Sequence, residues 1–177
     1  MINTIWTIGH STYSLEKFIT SLHAFQITVL ADIRSYPGSR RYSHFNKEAL
    51  EISLPANGIR YFHFKALGGR RKPVKDSINT GWHNEGFRGY ADYMQTIEFE
   101  KAILQLEDLA QQQSTAYMCS EAVWWSCHRS LVSDYLKWKG WKVMHIMDVS
   151  KATEHPFTKP ARIVNDMLRY DKPDLFN

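Results

Sequence analysis

Apolar positions along the chain follow two rhythms that alternate. Short apolar runs at residues 4–8, 27–31, 59–62, 115–119 and 142–146 are rich in β-branched and aromatic side chains and bounded by turn or polar residues, which predicts five strands. Helical spacing lies between them. Residues 14–25 place Leu15, Phe18, Ile19 and Leu22 on one face, with Ser14 as N-cap. Residues 46–57 predict a shorter helix, cut by Pro55 and closed by Gly58. Residues 90–113 predict one or two helices with Ile97, Ile103, Leu104, Leu106 and Leu109 turned inward. A further helix starts at Ser126 or Cys127, runs to Gly140 and buries Leu131, Val132, Tyr135 and Leu136; a last one covers 161–170. Residues 65–89 fit neither period and read as a long surface loop, of the kind that often covers a site. Alternating strands and helices predict one α/β domain over residues 1–177, with a mostly parallel sheet of about five strands.

Composition sharpens this picture only in places. Hydrophobic residues make up 44% of the 177, enough for a packed core, and two cysteines cannot form a disulfide framework. No apolar run is long enough to span a membrane, and the first residues lack the features of a secretion signal. A cytoplasmic protein with reduced thiols is the expectation. Net charge is +4, but its distribution says more. Residues 34–47 and 58–75 carry only basic charge, interleaved with Tyr36, Tyr42, Phe45, Tyr61 and Phe62. That mixture occurs on surfaces that bind anions or nucleic acid, although a charge block can equally be a solvated face.

Ligands of parallel α/β sheets bind beyond the carboxyl ends of the strands. There this chain has Gly9-His10-Ser11, then Asp32-Ile33-Arg34 with Arg40 following, then Cys119-Ser120-Glu121 leading to Trp124-Trp125-Ser126-Cys127-His128-Arg129. A core would accept apolar residues at all three places, so the convergence points to a site. Glu121, His128, Cys127, Asp32 and His10 are the candidates for proton transfer or nucleophilic attack. Ser11, Arg34, Arg40, Arg129, Trp124, Trp125 and Cys119 are the candidates for substrate binding. A Cys127 in the first turn of a helix would have a lowered pKa. Plainer roles stand beside these: His10 bonding a turn, Asp32 in a structural ion pair with Arg129 or Arg40, Cys119 as a small core residue, one tryptophan in the core. Cys119, Cys127, His128 and His10 are four N or S donors that do not match short-spaced zinc patterns, so no residue is assigned to a metal, and the sequence leaves the cofactor open.

The segments Thr7-Ile8-Gly9-His10-Ser11, Asp32-Ile33-Arg34-Ser35 with Pro37, Ser39 and Arg40, Tyr61, Leu67-Gly68-Gly69, and Cys119-x-Glu121 with Cys127-His128-Arg129 together resemble the bacterial and archaeal family called domain of unknown function 488. The likeness runs in order from Thr7 to about His145, and the stretch 121–129 looks like the subgroup with aromatics before Cys-His-Arg. His155 is similar to a histidine often seen in the tail. The resemblance implies a Rossmann-like three-layer fold with its site at the same strand ends, and it implies no reaction. Three functions follow as expectations: an enzyme acting on a phosphate-bearing nucleotide, modified base or nucleic-acid end; a non-catalytic nucleic-acid-binding module; or thiol redox or metal chemistry at Cys119 and Cys127.

Overall fold

A computed structural model describes residues 3–172. Six strands form one sheet: β1 (Thr4–Gly9), β2 (Val29–Asp32), β3 (Arg60–His63), β4 (Thr115–Cys119), β5 (Lys142–Asp148) and β6 (Lys151–Glu154), in the order β3-β2-β4-β1-β5-β6. The first five in that order are parallel, and β6 returns antiparallel on β5. β2 and β4 are buried along their whole length, as strands covered on both faces must be. Their side chains alternate between two cores. Leu30, Ala116 and Met118 face one; Ala31, Tyr117 and Cys119 face the other.

The helices divide between these two faces. α1 (Leu15–Ala24) and α2 (Lys47–Ser53) contribute Phe18, Leu22 and Leu50 to the first core. α3 (Glu85–Tyr93), α4 (Ile97–Gln112) and α5 (Arg129–Trp138) contribute Tyr90, Phe99, Ile103, Leu106, Leu131 and Val132 to the second. Ser14 caps α1 by accepting from the Lys17 amide, and Thr96 caps α4 by accepting from Phe99. β1 and β4 lie side by side, yet their chains continue to helices on opposite faces. A crevice at the strand ends follows from that divergence.

Several expectations need correction. Residues 90–113 are two helices broken at Met94–Thr96, and the buried stripe of α4 is Phe99, Ala102, Ile103 and Leu106; Ile97 and Leu104 are exposed and Leu109 is half-buried. α5 starts at Arg129, because a short 3-10 turn (Trp124–Ser126) and an extended Cys127 precede it. The expected helix over 161–170 is a hairpin of β7 (Arg162–Val164) and β8 (Met167–Arg169). Its two-residue turn, Asn165-Asp166, has positive φ at both positions (50° and 59°), the geometry that Asn and Asp tolerate and that hairpins favour. β6 was not anticipated. The loop over 65–89 holds a 3-10 turn (Lys65–Leu67) and the start of α3, and Asp92 pins it by accepting from the Val74 amide, the Ser77 hydroxyl and the Asn79 side chain. Among the described residues no helix is long and apolar enough to cross a membrane.

Candidate functional site

A cavity of about 720 Å³ opens at the carboxyl ends of β1, β2 and β4. It brings together seven of the residues singled out from the sequence: His10, Ser11, Arg34, Cys119, Glu121, Cys127 and His128. Asp32 and Arg129 lie beneath it, fully buried. Arg40 is exposed and lies outside the cavity lining, as do Trp124 and Trp125. Tyr36, Gly69 and Arg70 line it too. None of the three was singled out as a site residue, although the family resemblance contains Gly69 and the basic, aromatic blocks contain Tyr36 and Arg70.

Asp32 organises one wall. Its Oδ1 accepts from the Arg34 amide (3.0 Å) and Nε (2.9 Å), and its Oδ2 accepts from Arg34 Nη2 (2.6 Å) and the Tyr61 hydroxyl (2.7 Å). The two-residue spacing on extended chain permits this fork, so the structural partner of Asp32 is Arg34, in place of Arg129 or Arg40. Arg34 also donates to the Phe45 carbonyl and, through Nη1, to His10 Nε2 at 3.2 Å. His10 Nδ1 in turn donates to the Ser11 carbonyl at 3.0 Å, and the ring stacks on Phe45. Both nitrogens of His10 are therefore engaged, and burial together with the Arg34 charge lowers its pKa to about 4. His128 donates through Nε2 to the Ile33 carbonyl at 3.0 Å, and burial lowers its pKa to about 4 as well. A side chain at Gly69 would meet the His128 ring within 2.8 Å, which explains glycine there. Among the described residues Glu121 forms no ion pair or hydrogen bond with His128.

These two imidazoles give the fold an acid limit. Unfolded, each histidine takes up a proton near pH 6.5; folded, it stays neutral to about pH 4. The unfolded chain thus binds more protons in that window, and stability falls as pH drops from about 6.5 to 4, by of order 2–3 kcal/mol for each imidazole. Denaturant midpoints across pH 4–7 check this; in a His10→Gln variant the slope should be shallower.

The other wall is the loop from β4 to α5. Arg129 sends its side chain under this loop, donating to the carbonyls of Glu121 (3.1 Å) and Ala122 (3.4 Å) and to the Thr7 hydroxyl (3.1 Å). Among the described residues no carboxylate pairs with it. Gly9 lets the loop pass, since a Cβ there would lie 1.7 Å from the Glu121 carbonyl oxygen. Cys127 takes the place of an N-cap: its Sγ accepts from the Arg129 amide at 3.4 Å and its carbonyl accepts from Ser130. The sulfurs of Cys119 and Cys127 lie 2.6 Å apart, both as free cysteines. Burial pushes the Cys127 thiol up. The hydrogen bond from Cys119, the Arg129 guanidinium charge and the Arg129 hydrogen bonds outweigh that and bring it to about 7. The same hydrogen bond, with burial, holds Cys119 well above the ordinary thiol range. Among the described residues no cluster of three or more His, Cys, Asp or Glu is arranged to hold a metal ion.

Behind this loop stands a buried polar chain. Asp134 accepts from His155 Nε2 at 2.9 Å, from Tyr170 and from Thr158, and His155 Nδ1 meets His145 Nε2 at 2.9 Å. Trp124 stacks flat on His145, with centroids 4.6 Å apart. It anchors the loop to the sheet through that face. Trp125 is exposed and packs edge-on against Trp124. Of this chain only His155 had been noted, through the family resemblance.

Fold and site together define an α/β protein with a mostly parallel central sheet and a paired-cysteine cavity at the strand ends. The sequence model of the family described as Domain of unknown function DUF488 matches residues 14–136, and the chain belongs to that family. No curated protein and no solved structure matches the chain.

Proposed function

We propose that the protein is a thiol-dependent enzyme in which Cys127 is the nucleophile and Cys119 the second thiol of a dithiol couple. The observation that carries this reading is the contact between the two sulfurs at the cavity wall, with the Arg129 amide donating to Cys127 Sγ and the Arg129 guanidinium, which has no carboxylate partner among the described residues, close enough to act on the thiol by its charge. A thiolate near neutrality, beside a thiol kept protonated, is the arrangement that thiol–disulfide exchange needs. With a disulfide R–S–S–R′ as substrate, the Cys127 thiolate attacks one sulfur and R′S⁻ leaves with the electron pair. Cys119 then gives up its proton and attacks Cys127 Sγ, and RS⁻ departs. The dithiol is oxidised by two electrons and the substrate reduced to two thiols. Of the three arginines that the sequence offered for substrate binding, Arg34 and Arg129 are largely occupied inside the protein and Arg40 lies outside the cavity lining. Support for an anionic substrate comes instead from charges at the cavity mouth.

Alkylation tests the thiol reading. With iodoacetamide, labelling located by peptide mass should fall on Cys127, with a pH midpoint near 7, and should vanish in Cys127→Ala. Oxidation by a small disulfide should yield the internal Cys119–Cys127 bond in wild type and a stable mixed disulfide in Cys119→Ala. Preferential labelling of Cys119, or a midpoint near 9, sinks the proposal.

A further inference from the structure

We infer that the pocket formed by Tyr36, Lys65 and Arg70 binds a nucleoside diphosphate, or the nucleoside diphosphate part of a larger substrate. This pocket, about 510 Å³, has Ser35, Tyr36, Lys65, Gly69, Arg70 and Arg71 in its walls and no acidic side chain. Tyr36 is 70% exposed and belongs to neither core, so its face is open to a ligand. Lys65 Nζ and Arg70 Cζ both lie 5.9 Å from the centroid of that ring. Neither cation has an ion-pair partner among the described residues. Two cations with no acidic neighbour beside one exposed ring make a locally positive face that attracts an anion. The combination of phosphate-binding charge and a stacking face fits a nucleotide.

The backbone holds this arrangement in place. Arg70 has φ 61°, a left-handed conformation that a non-glycine residue adopts at a cost. On one side of it Gly69 is pressed against His128, and its carbonyl accepts from the Ser35 hydroxyl at 2.9 Å. On the other, Arg71 hooks back onto the Gly68 and Ala66 carbonyls and lies 3.7 Å over the Tyr93 ring. Arg71 is therefore a strut, and Arg70 is turned out as the free charge. A nucleic-acid strand would need successive stacking rings, whereas this pocket offers one exposed ring. The pocket shares Ser35, Tyr36, Gly69 and Arg70 with the thiol cavity, so a diphosphate seated here extends its other end toward Cys127. As a binding site the inference stands by itself; as the substrate class of the thiol centre it rests on the reading above.

Calorimetric titration of the full chain with ADP tests it. Saturable binding is expected, weakened roughly tenfold or more by Lys65→Ala combined with Arg70→Gly, the glycine keeping the left-handed backbone. Tyr36→Ala should weaken ADP and leave inorganic pyrophosphate unchanged. Cys127→Ala should leave ADP affinity unchanged, while ADP should protect wild-type Cys127 from iodoacetamide. Absence of saturable ADP binding, or indifference to the double substitution, overturns the site. A single-stranded oligonucleotide that binds tighter than ADP with a steep salt dependence replaces it with a strand-binding surface. ADP binding without protection of Cys127 overturns the link between pocket and thiol. ADP binding to a chain whose Cys127 shows no lowered midpoint keeps the pocket and removes the thiol proposal.

Discussion

Asp32→Ala is expected to cost about 3–5 kcal/mol of folding stability, close to the limit for a single substitution. Asp32 has no solvent exposure and receives four hydrogen bonds. Without it, the Arg34 guanidinium is a buried charge with only the Phe45 carbonyl and His10 as partners, and the Tyr61 hydroxyl loses its acceptor. The cost comes mainly from those abandoned donors rather than from the pair itself. A second substitution that removes the charge, Arg34→Met in the Asp32→Ala background, should therefore recover part of the loss. Urea midpoints of the two single variants and the double variant measure the coupling. A single-variant loss within about 1 kcal/mol, or simple additivity, would mean that this wall of the cavity does not depend on the pair.

The same residue shows what sequence reading could and could not reach. Asp32 and Arg34 stand at the end of a predicted strand, and strand ends are where parallel sheets gather polar groups, so their place beside the strand-end cavity was legible. Their mutual pairing was not. Whether a carboxylate turns to a neighbour two residues on or to a distant arginine depends on how Phe45 and Tyr61 close around it, and those come from a 3-10 turn and from β3. Strand existence was read from local composition and survived folding; Thr115–Cys119 even kept its limits. The hairpin of β7 and β8 was mistaken for a helix because its apolar residues over 161–170 permit both periods, and only the turn at Asn165-Asp166 separates them. Asp134, His145 and His155 lie on a helix, a strand and the stretch after β6. No short-range spacing could bring them together.

Arg129→Met is the substitution expected to change the chemistry most while leaving Cys127 in place. The guanidinium has no carboxylate partner, so its loss orphans no buried anion, and the Glu121 carbonyl it releases belongs to an exposed residue that water can serve. The Cys127 thiol, in contrast, loses a neighbouring positive charge and should rise from about 7 back toward the ordinary thiol range, with burial pushing it upward and the hydrogen bond from Cys119 still holding it down. For a rise of about two units, the thiolate fraction at pH 7 drops from about half to about one per cent. A more basic thiolate is intrinsically more reactive, by roughly 6–10-fold for such a rise at a Brønsted slope of 0.4–0.5. The net result at pH 7 is alkylation about 5–8-fold slower than wild type, and at pH 10 it is faster by a similar factor. The two pH–rate curves must cross. A role confined to holding the loop would shift both ends of the profile in one direction, and Arg129→Lys, which keeps the charge without the fork, should restore the midpoint and leave the loop loosened. A midpoint that stays near 7 in Arg129→Met would assign the lowered pKa to the hydrogen bond from Cys119 instead.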